Sequence, residues 1–228
     1  PLVSKVHRES EQLNKKGYSI ILIGHKNHPE VVGTMGQLPN GSITLVETVE
    51  DVKALNIKKF DKPLAYITQT TLSVDDTEEI LGKLKQRFPK LAEPAAESIC
   101  YATTNRQDVV KLAAKGADHF LIVGAPNSSN SMRLVEVALK AGAKKAMLVQ
   151  GAHEVPWDEL AKANIVGLSA GASAPEILVN EIIEGFKSRF NATLELTETV
   201  QELENFPVSK GLRDVDLLPA DMAFVNGA

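Results

Sequence analysis

An internal repeat, offset by roughly one hundred residues, limits what this chain can fold into more than any other feature. The segment SIILIGHKNHPE, beginning at Ser19, returns as HFLIVGAPNSSN, beginning at His119. Gly17 has a counterpart in Gly116. The run ITLVETVEDVKAL from Ile43 resembles AMLVQGAHEVPWDEL from Ala146, and LAYITQTTLSVDD from Leu64 resembles NIVGLSAGASAPE from Asn164. Self-similarity at a fixed period marks a duplicated structural unit. The chain therefore reads as two units, residues 1–97 and 98–190, followed by a C-terminal tail, residues 191–228. The single cysteine, Cys100, stands where the second copy begins. Its first-copy equivalent falls at or just before Pro1, so the chain is expected to begin where a matching residue would stand.

Each copy has the same order of elements. In the first, helical periodicity over 3–16 (Val3, Val6 and Leu13 on one side) stops at Gly17, and a short apolar strand, 19–23, ends at Gly24. Pro29 suits the first turn of a helix. A turn at 37–42 leads into a strand at 43–46 and a short helix at 49–55. A third strand, 64–67, precedes a helix that Ser73 and Asp76 start in the manner of a capping box and Pro89 ends. In the second copy, Thr104 and Gln107 read as a capping box. A strand follows at 120–123, then a helix at 132–140 capped by Ser129 or Ser131. Strands at 146–149 and 165–168 precede a helix that Ser173 and Glu176 start and that reaches Phe190. In the tail, 196–199 reads as an edge strand and the last fifteen residues as mobile. Strands alternating with helices imply an α/β fold: two small, mainly parallel sheets, one per unit, each flanked by helices on both faces.

Composition excludes several classes of partner. A formal net charge of −4 argues against a general nucleic-acid binder. No apolar run approaches the ~18–20 residues that span a bilayer, so no membrane partner is expected. The charged opening residues have no signal-peptide centre. One cysteine rules out an intramolecular disulfide framework and fits a reducing compartment, with the cytoplasm as the expected location.

Ligands of open α/β sheets bind beyond the carboxyl ends of the strands. Four such tips occur here, at 24–30, 68–73, 124–130 and 169–176, and each leads into a helix N-terminus, where phosphates are favoured. Hydroxyls and amides dominate them: Thr70, Thr71, Ser128, Ser129, Asn130 and Ser173. They read as a phosphate or diphosphate site of neutral donors together with His28. The same residue types also cap helices and form turns, but four donor-rich tips in one repeat favour a site. Glu30, just inside a helix start, is either a dipole-stabilised carboxylate or a proton carrier. His25 reads as a loop or strand-end residue, and His7, His119 and His153, with no partner visible in the sequence, as surface residues rather than ligands. No Walker A or GxGxxG pattern occurs, and the glycine pairs 33/36 and 167/171 read as turn or packing positions. Cys100 admits three readings: a small buried hydrophobe, a nucleophile with a base such as His28, or one ligand of a metal site whose other ligands lie elsewhere.

The runs PLVSKVH, IGHKNHPEVVGTMGQ, TQTTLSVDDT, ICYATTNRQ, VGAPNSSNSMRL and GLSAGASAPEILV together resemble the 4-hydroxy-3-methylbut-2-enyl diphosphate reductases of the non-mevalonate isoprenoid route. The resemblance covers residues 1 to about 213. It implies three α/β units around a central [4Fe–4S] cluster, with one cysteine from each unit, and Cys100 resembles the third. The second would immediately precede Pro1. The first, with two substrate-binding histidines, would lie in a further unit outside this sequence. The resemblance further implies that His28, Ser128, Ser129, Asn130 and Ser173 contact the diphosphate. Glu30 would supply protons, and Thr70 would order the substrate hydroxyl and its water. Electrons would come from a ferredoxin or flavodoxin, and loss of the allylic hydroxyl as water would give isopentenyl and dimethylallyl diphosphate. With one of three cysteines, the chain alone is expected to be inactive, cluster-free and colourless, with Cys100 on a solvent-reachable face near Glu30 and Ser128. A different class of function, a stand-alone phosphate-binding module without redox chemistry, is separated from this one by iron content.

Overall fold

The computed structural model describes every residue except 1, 57–59, 95–98, 201–210 and 212–228. The first unit runs α1 (Leu2–Lys15), β1 (Ser19–Ile23), α2 (Pro29–Met35), β2 (Ile43–Val46), α3 (Val49–Ala54), β3 (Leu64–Thr68) and α4 (Val74–Arg87). The second runs α5 (Tyr101–Ala113), β4 (His119–Val123), α6 (Ser129–Lys140), β5 (Lys145–Val149), α7 (Trp157–Leu160), β6 (Val166–Ala170) and α8 (Glu176–Arg189). Gly17 and Gly116 follow α1 and α5 at φ 82 and 75, a region glycine enters without strain. This turns the chain directly into the central strand of each sheet.

The two sheets are parallel, in the orders β2-β1-β3 and β5-β4-β6. A central strand covered on both faces has to be apolar along its covered length, and after their first residues, Ser19 and His119, β1 and β4 are. Successive side chains on a strand point to opposite faces. Ile21 and Ile23 accordingly pack with Val46, Tyr66 and Leu84 on one face, and Ile20 and Leu22 with Val6, Val31 and Ile67 on the other. In the second sheet, Phe120 and Ile122 pack with Val110, Leu134 and Ala138, and Leu121 and Val123 with Val149, Leu160 and Ile182. Gly167 is a packing position, since a Cβ there would lie 2.3 Å from the Phe120 ring.

Strand register corrects the repeat in one place. Ser19 pairs with Leu64 and His119 with Val166, so the structural partner of Leu64 is Val166, not Asn164. Thr70 therefore corresponds to Ala172, and Thr71 to Ser173. Helix starts also differ from expectation. Cys100, not Thr104, is the N-cap of α5, and Thr104 lies inside the helix. Ser128, not Ser129 or Ser131, caps α6. Pro175, not Ser173, precedes α8. The expected edge strand at 196–199 is exposed chain without secondary structure, because no neighbouring strand offers it a ladder. The last fifteen residues lie outside the described ones. His119, expected at the surface, is 7% exposed as the first residue of the central strand β4. No helix among the described residues is long and apolar enough to cross a membrane.

Asp118 staples the second sheet at the entry to β4. Its carboxylate accepts the Lys144 ammonium at 2.7 Å and the backbone N–H groups of Asn164 and Ile165 at 2.8 and 3.2 Å. Lys144 first, then the two N–H groups, hold its pKa down from 3.8 to about 2. A depressed folded-state pKa stabilises the fold above the unfolded value, and that stabilisation is lost as pH falls through the folded one. Asp118→Ala is therefore expected to lower the melting temperature at pH 7, and to lower it much less near pH 2. An equal decrease at both pH values would contradict the linkage.

Candidate functional site at the seam between the units

The first-unit half of the site forms where β1, β3 and α2 meet. A Cβ on Gly24 would lie 2.7 Å from Val31 Cγ2 and 3.2 Å from Gln69 Oε1, so the glycine lets α2 begin against the strand ends. His28 is the N-cap of α2, and its Nδ1 accepts the Glu30 N–H at 3.2 Å. With Nδ1 an acceptor, the neutral ring carries its proton on Nε2. Nε2 then donates to the Ser129 hydroxyl, 2.5 Å away across the seam. Glu30 is held from forty residues away: Oε1 accepts the Thr70 N–H at 2.8 Å and Oε2 the Thr70 hydroxyl at 2.9 Å. The Thr70 carbonyl in turn accepts the Cys100 N–H at 3.0 Å. Glu30, Thr70 and Cys100 thus form one connected run.

Cys100 itself breaks a local rule. His28, Thr48, Ser73 and Ser128 cap their helices with a side-chain acceptor; Pro156 and Pro175 have no acceptor to offer, and Cys100, which is half-buried, makes no such bond either. A cap residue that does not cap is a departure of the kind found at functional sites. Its thiol is left free for another partner.

The second-unit half repeats the geometry with different chemistry. Ser128 Oγ accepts the Ser131 N–H at 3.3 Å and the Ser131 hydroxyl at 3.0 Å. Both of its acceptor sites are filled, so its own O–H is left to donate outward. Ser129 accepts the single bond from His28, which fills one of its acceptor sites and leaves its O–H able to donate. Asn130 occupies the place of Glu30, but Ala172 stands where Thr70 would answer it. Asn130 is 7% exposed, and neither its Oδ1 nor its Nδ2 finds a partner among the described residues. A buried amide without partners is costly and points to a ligand. Gly124 and Gly171 make room for this arrangement, since a Cβ on either would lie 2.3 or 2.1 Å from Ser131 Oγ. Ser173, two residues beyond Gly171, is exposed in the turn before α8.

Three further residues, none of them read as a site residue from the sequence, hold the seam. Gln69 is 1% exposed, accepts the His25 N–H at 3.0 Å and donates to the Thr71 hydroxyl at 3.1 Å. Arg133, on α6, contacts His25 Nε2 at 2.7 Å and also pairs with Asp76 and Glu136. Burial first, then the Arg133 charge, lowers the His25 pKa, which suits a neutral ring accepting from the guanidinium. Gln107 is fully buried. His153 is exposed, as expected, and His7 is half-buried.

A family model described as LytB protein matches residues 1–187. The chain belongs to the LytB family. LytB relatives named 4-hydroxy-3-methylbut-2-enyl diphosphate reductase include one from Rhizobium etli, 63% identical over the whole chain, which spans 68% of that relative. Another, from Brucella anthropi, is 61% identical, and the chain spans 65% of it. Among solved structures, the Plasmodium falciparum E-1-hydroxy-2-methyl-but-2-enyl-4-diphosphate reductase superposes with a TM-score of 0.83 at 36% identity, covering all of this chain and 68% of that one. A second solved structure, of (E)-4-hydroxy-3-methyl-but-2-enyl diphosphate reductase, gives a TM-score of 0.50 at 31% identity over 82% of this chain and 66% of its own. The LytB match takes in both sheets and every residue of the seam.

Proposed function

We propose that this chain carries the substrate-binding and proton-transfer side of a 4-hydroxy-3-methylbut-2-enyl diphosphate reductase. The observation that carries the proposal is the contrast across the repeat. One unit presents a carboxylate tied to a hydroxyl, and the other presents a buried amide, unpartnered among the described residues, beside two serine hydroxyls. The reaction replaces the allylic C–OH bond by C–H and releases water, consuming two electrons and two protons. The first-unit half suits the proton: Glu30 is oriented by two bonds from Thr70, whose carbonyl accepts the Cys100 N–H. The second-unit half suits the diphosphate: Ser128, Ser129, Asn130 and Ser173, with His28, offer donors without fixed cations. Neutral and charge-assisted hydrogen bonds can hold a diphosphate when several converge. The products are isopentenyl and dimethylallyl diphosphate.

The electrons require a redox group, which in the family resemblance is a [4Fe–4S] cluster fed by a ferredoxin or flavodoxin. When bound, it supplies electrons and a Lewis-acidic position for the hydroxyl. Four-iron clusters are held by several thiolates. Cys100 is the single thiol of this sequence, and no group of three or more His, Cys, Asp or Glu among the described residues could hold a metal. These residues alone do not fit the cluster; Cys100, half-buried and without a capping bond, would contribute one ligand beside ligands from elsewhere. A reducing compartment such as the cytoplasm suits that thiol.

The test uses the chain joined to the part of the Rhizobium etli relative that lies outside the match, here called the completed enzyme. It is expected to bind iron and reduce the allylic diphosphate. Cys100→Ala is expected to abolish the visible absorption and turnover while inorganic diphosphate still binds. Full iron content and turnover in that variant would refute the role of Cys100. Turnover-free, iron-free completed enzyme that binds diphosphate would instead favour a phosphate-binding module.

A further inference from the structure

Gln107 lies on α5, two turns after Cys100, and is fully buried. Its side chain crosses the seam: Oε1 accepts the Val74 N–H at 3.0 Å, and Nε2 donates to the Leu72 carbonyl at 2.8 Å. Those two backbone groups flank Ser73, the N-cap of α4. The Val74 N–H belongs to the first helical residue of α4, one of the donors a helix cannot satisfy internally. Ser73 does not relieve it, because the Ser73 hydroxyl accepts from Asp76 N instead. Just upstream on the same loop stands Thr70. Its N–H and hydroxyl hold Glu30, and its carbonyl accepts the Cys100 N–H.

Residues 70–74 therefore bridge the Glu30 carboxylate and α5. That helix grips the loop twice, through the Cys100 backbone and through the Gln107 amide. At 1.5 Å rise per residue the two grips stand ~10 Å apart along the helix, which fixes the tilt of the loop as well as its position. The chemistry of the grip is specific. One neutral group has to present both a donor and an acceptor at a fully buried position, and an ionised side chain of the same length would bring an uncompensated charge there.

We infer that Gln107 is a positioning residue for proton transfer: by clamping Leu72 and Val74 it holds the Thr70 hydroxyl and the Glu30 carboxylate at a fixed place relative to Cys100. The inference rests on the reductase reading above. It assigns to a residue outside the diphosphate donors an effect on the chemical step alone.

The experiment compares variants of the completed enzyme. Gln107→Met preserves length and removes both hydrogen bonds. A displacement of about 1 Å at a reacting group can cost about a hundredfold, so kcat is expected to fall by about ten- to a hundredfold. KM should stay unchanged, because the diphosphate donors Ser128 and Asn130 do not depend on this loop. The loss should also vanish in the background of Thr70→Ala, since residues acting through one another are not additive whereas independent ones are. Gln107→Asn keeps the amide but is one carbon too short. It should behave in the same way, and it carries the test if the Met variant fails to fold. Wild-type kcat in Gln107→Asn, or a full multiplicative loss in the double variant with Thr70→Ala, overturns the inference alone. Normal turnover in Glu30→Gln and Thr70→Ala overturns the reductase reading and the inference together.

Discussion

Glu30→Gln in the completed enzyme is expected to lower kcat by about 10²–10⁴-fold, the usual contribution of a positioned proton donor, and to leave KM unchanged. The substitution is close to isosteric. The amide oxygen can still accept the Thr70 N–H, and the amide nitrogen can donate to the Thr70 hydroxyl in place of accepting from it. The loop at 70–74 therefore keeps its place, and only the capacity to carry a proton is removed. Steady-state rates together with iron content separate this outcome from loss of the redox group. Near-normal turnover would remove Glu30 from the mechanism and leave its two bonds to Thr70 as a structural tie.

Asn130→Asp is expected to act on the other parameter. The side chain is buried, isosteric with the replacement and unpartnered among the described residues, so the change adds one negative charge where the diphosphate is proposed to lie. Like charges juxtaposed at a desolvated contact cost several kcal/mol, and about 1.4 kcal/mol is tenfold. KM should rise by about a hundredfold or more, with a smaller effect on kcat. Asn130→Ala, which removes the donor without adding charge, should have a distinctly smaller effect. An unaltered KM in Asn130→Asp would place the diphosphate elsewhere. The two variants occupy equivalent positions of the repeat and are expected to divide kcat from KM, because one unit has Thr70 to answer its carboxylate and the other has Ala172.

The sheets are legible because a strand buried on both faces leaves an unbroken apolar run, and IILI and FLIV are such runs, each followed directly by a glycine. The repeat made the two sheets expected once one was read. Helix starts were less legible. Ser/Thr-x-x-Glu/Gln at Thr104 and Ser173 matches the capping pattern, yet α5 begins at Cys100, a residue with no capping tendency, and α8 begins after Pro175. Gln107 matches the second half of a capping box in sequence, while its partners are Leu72 and Val74 on the other unit. The site was legible in kind but not in wiring. Donor-rich tips can be seen along the chain, but Glu30 meets Thr70 over forty residues and His28 meets Ser129 over about a hundred, and no local pattern encodes either contact. Asn130 was visible as one more polar residue. Its isolation follows only from the strand register that sets Ala172 opposite it.

The structure of the completed enzyme with its allylic diphosphate substrate, obtained without oxygen, tests the division of labour between the units most directly. The account predicts diphosphate oxygens within hydrogen-bonding distance, ~2.5–3.2 Å, of Ser128 Oγ, Asn130 Nδ2 and Ser173 Oγ, with the hydroxyl-bearing end of the substrate beside the Glu30–Thr70 pair. A diphosphate bound away from α6, with the Asn130 amide still unpartnered, would contradict it.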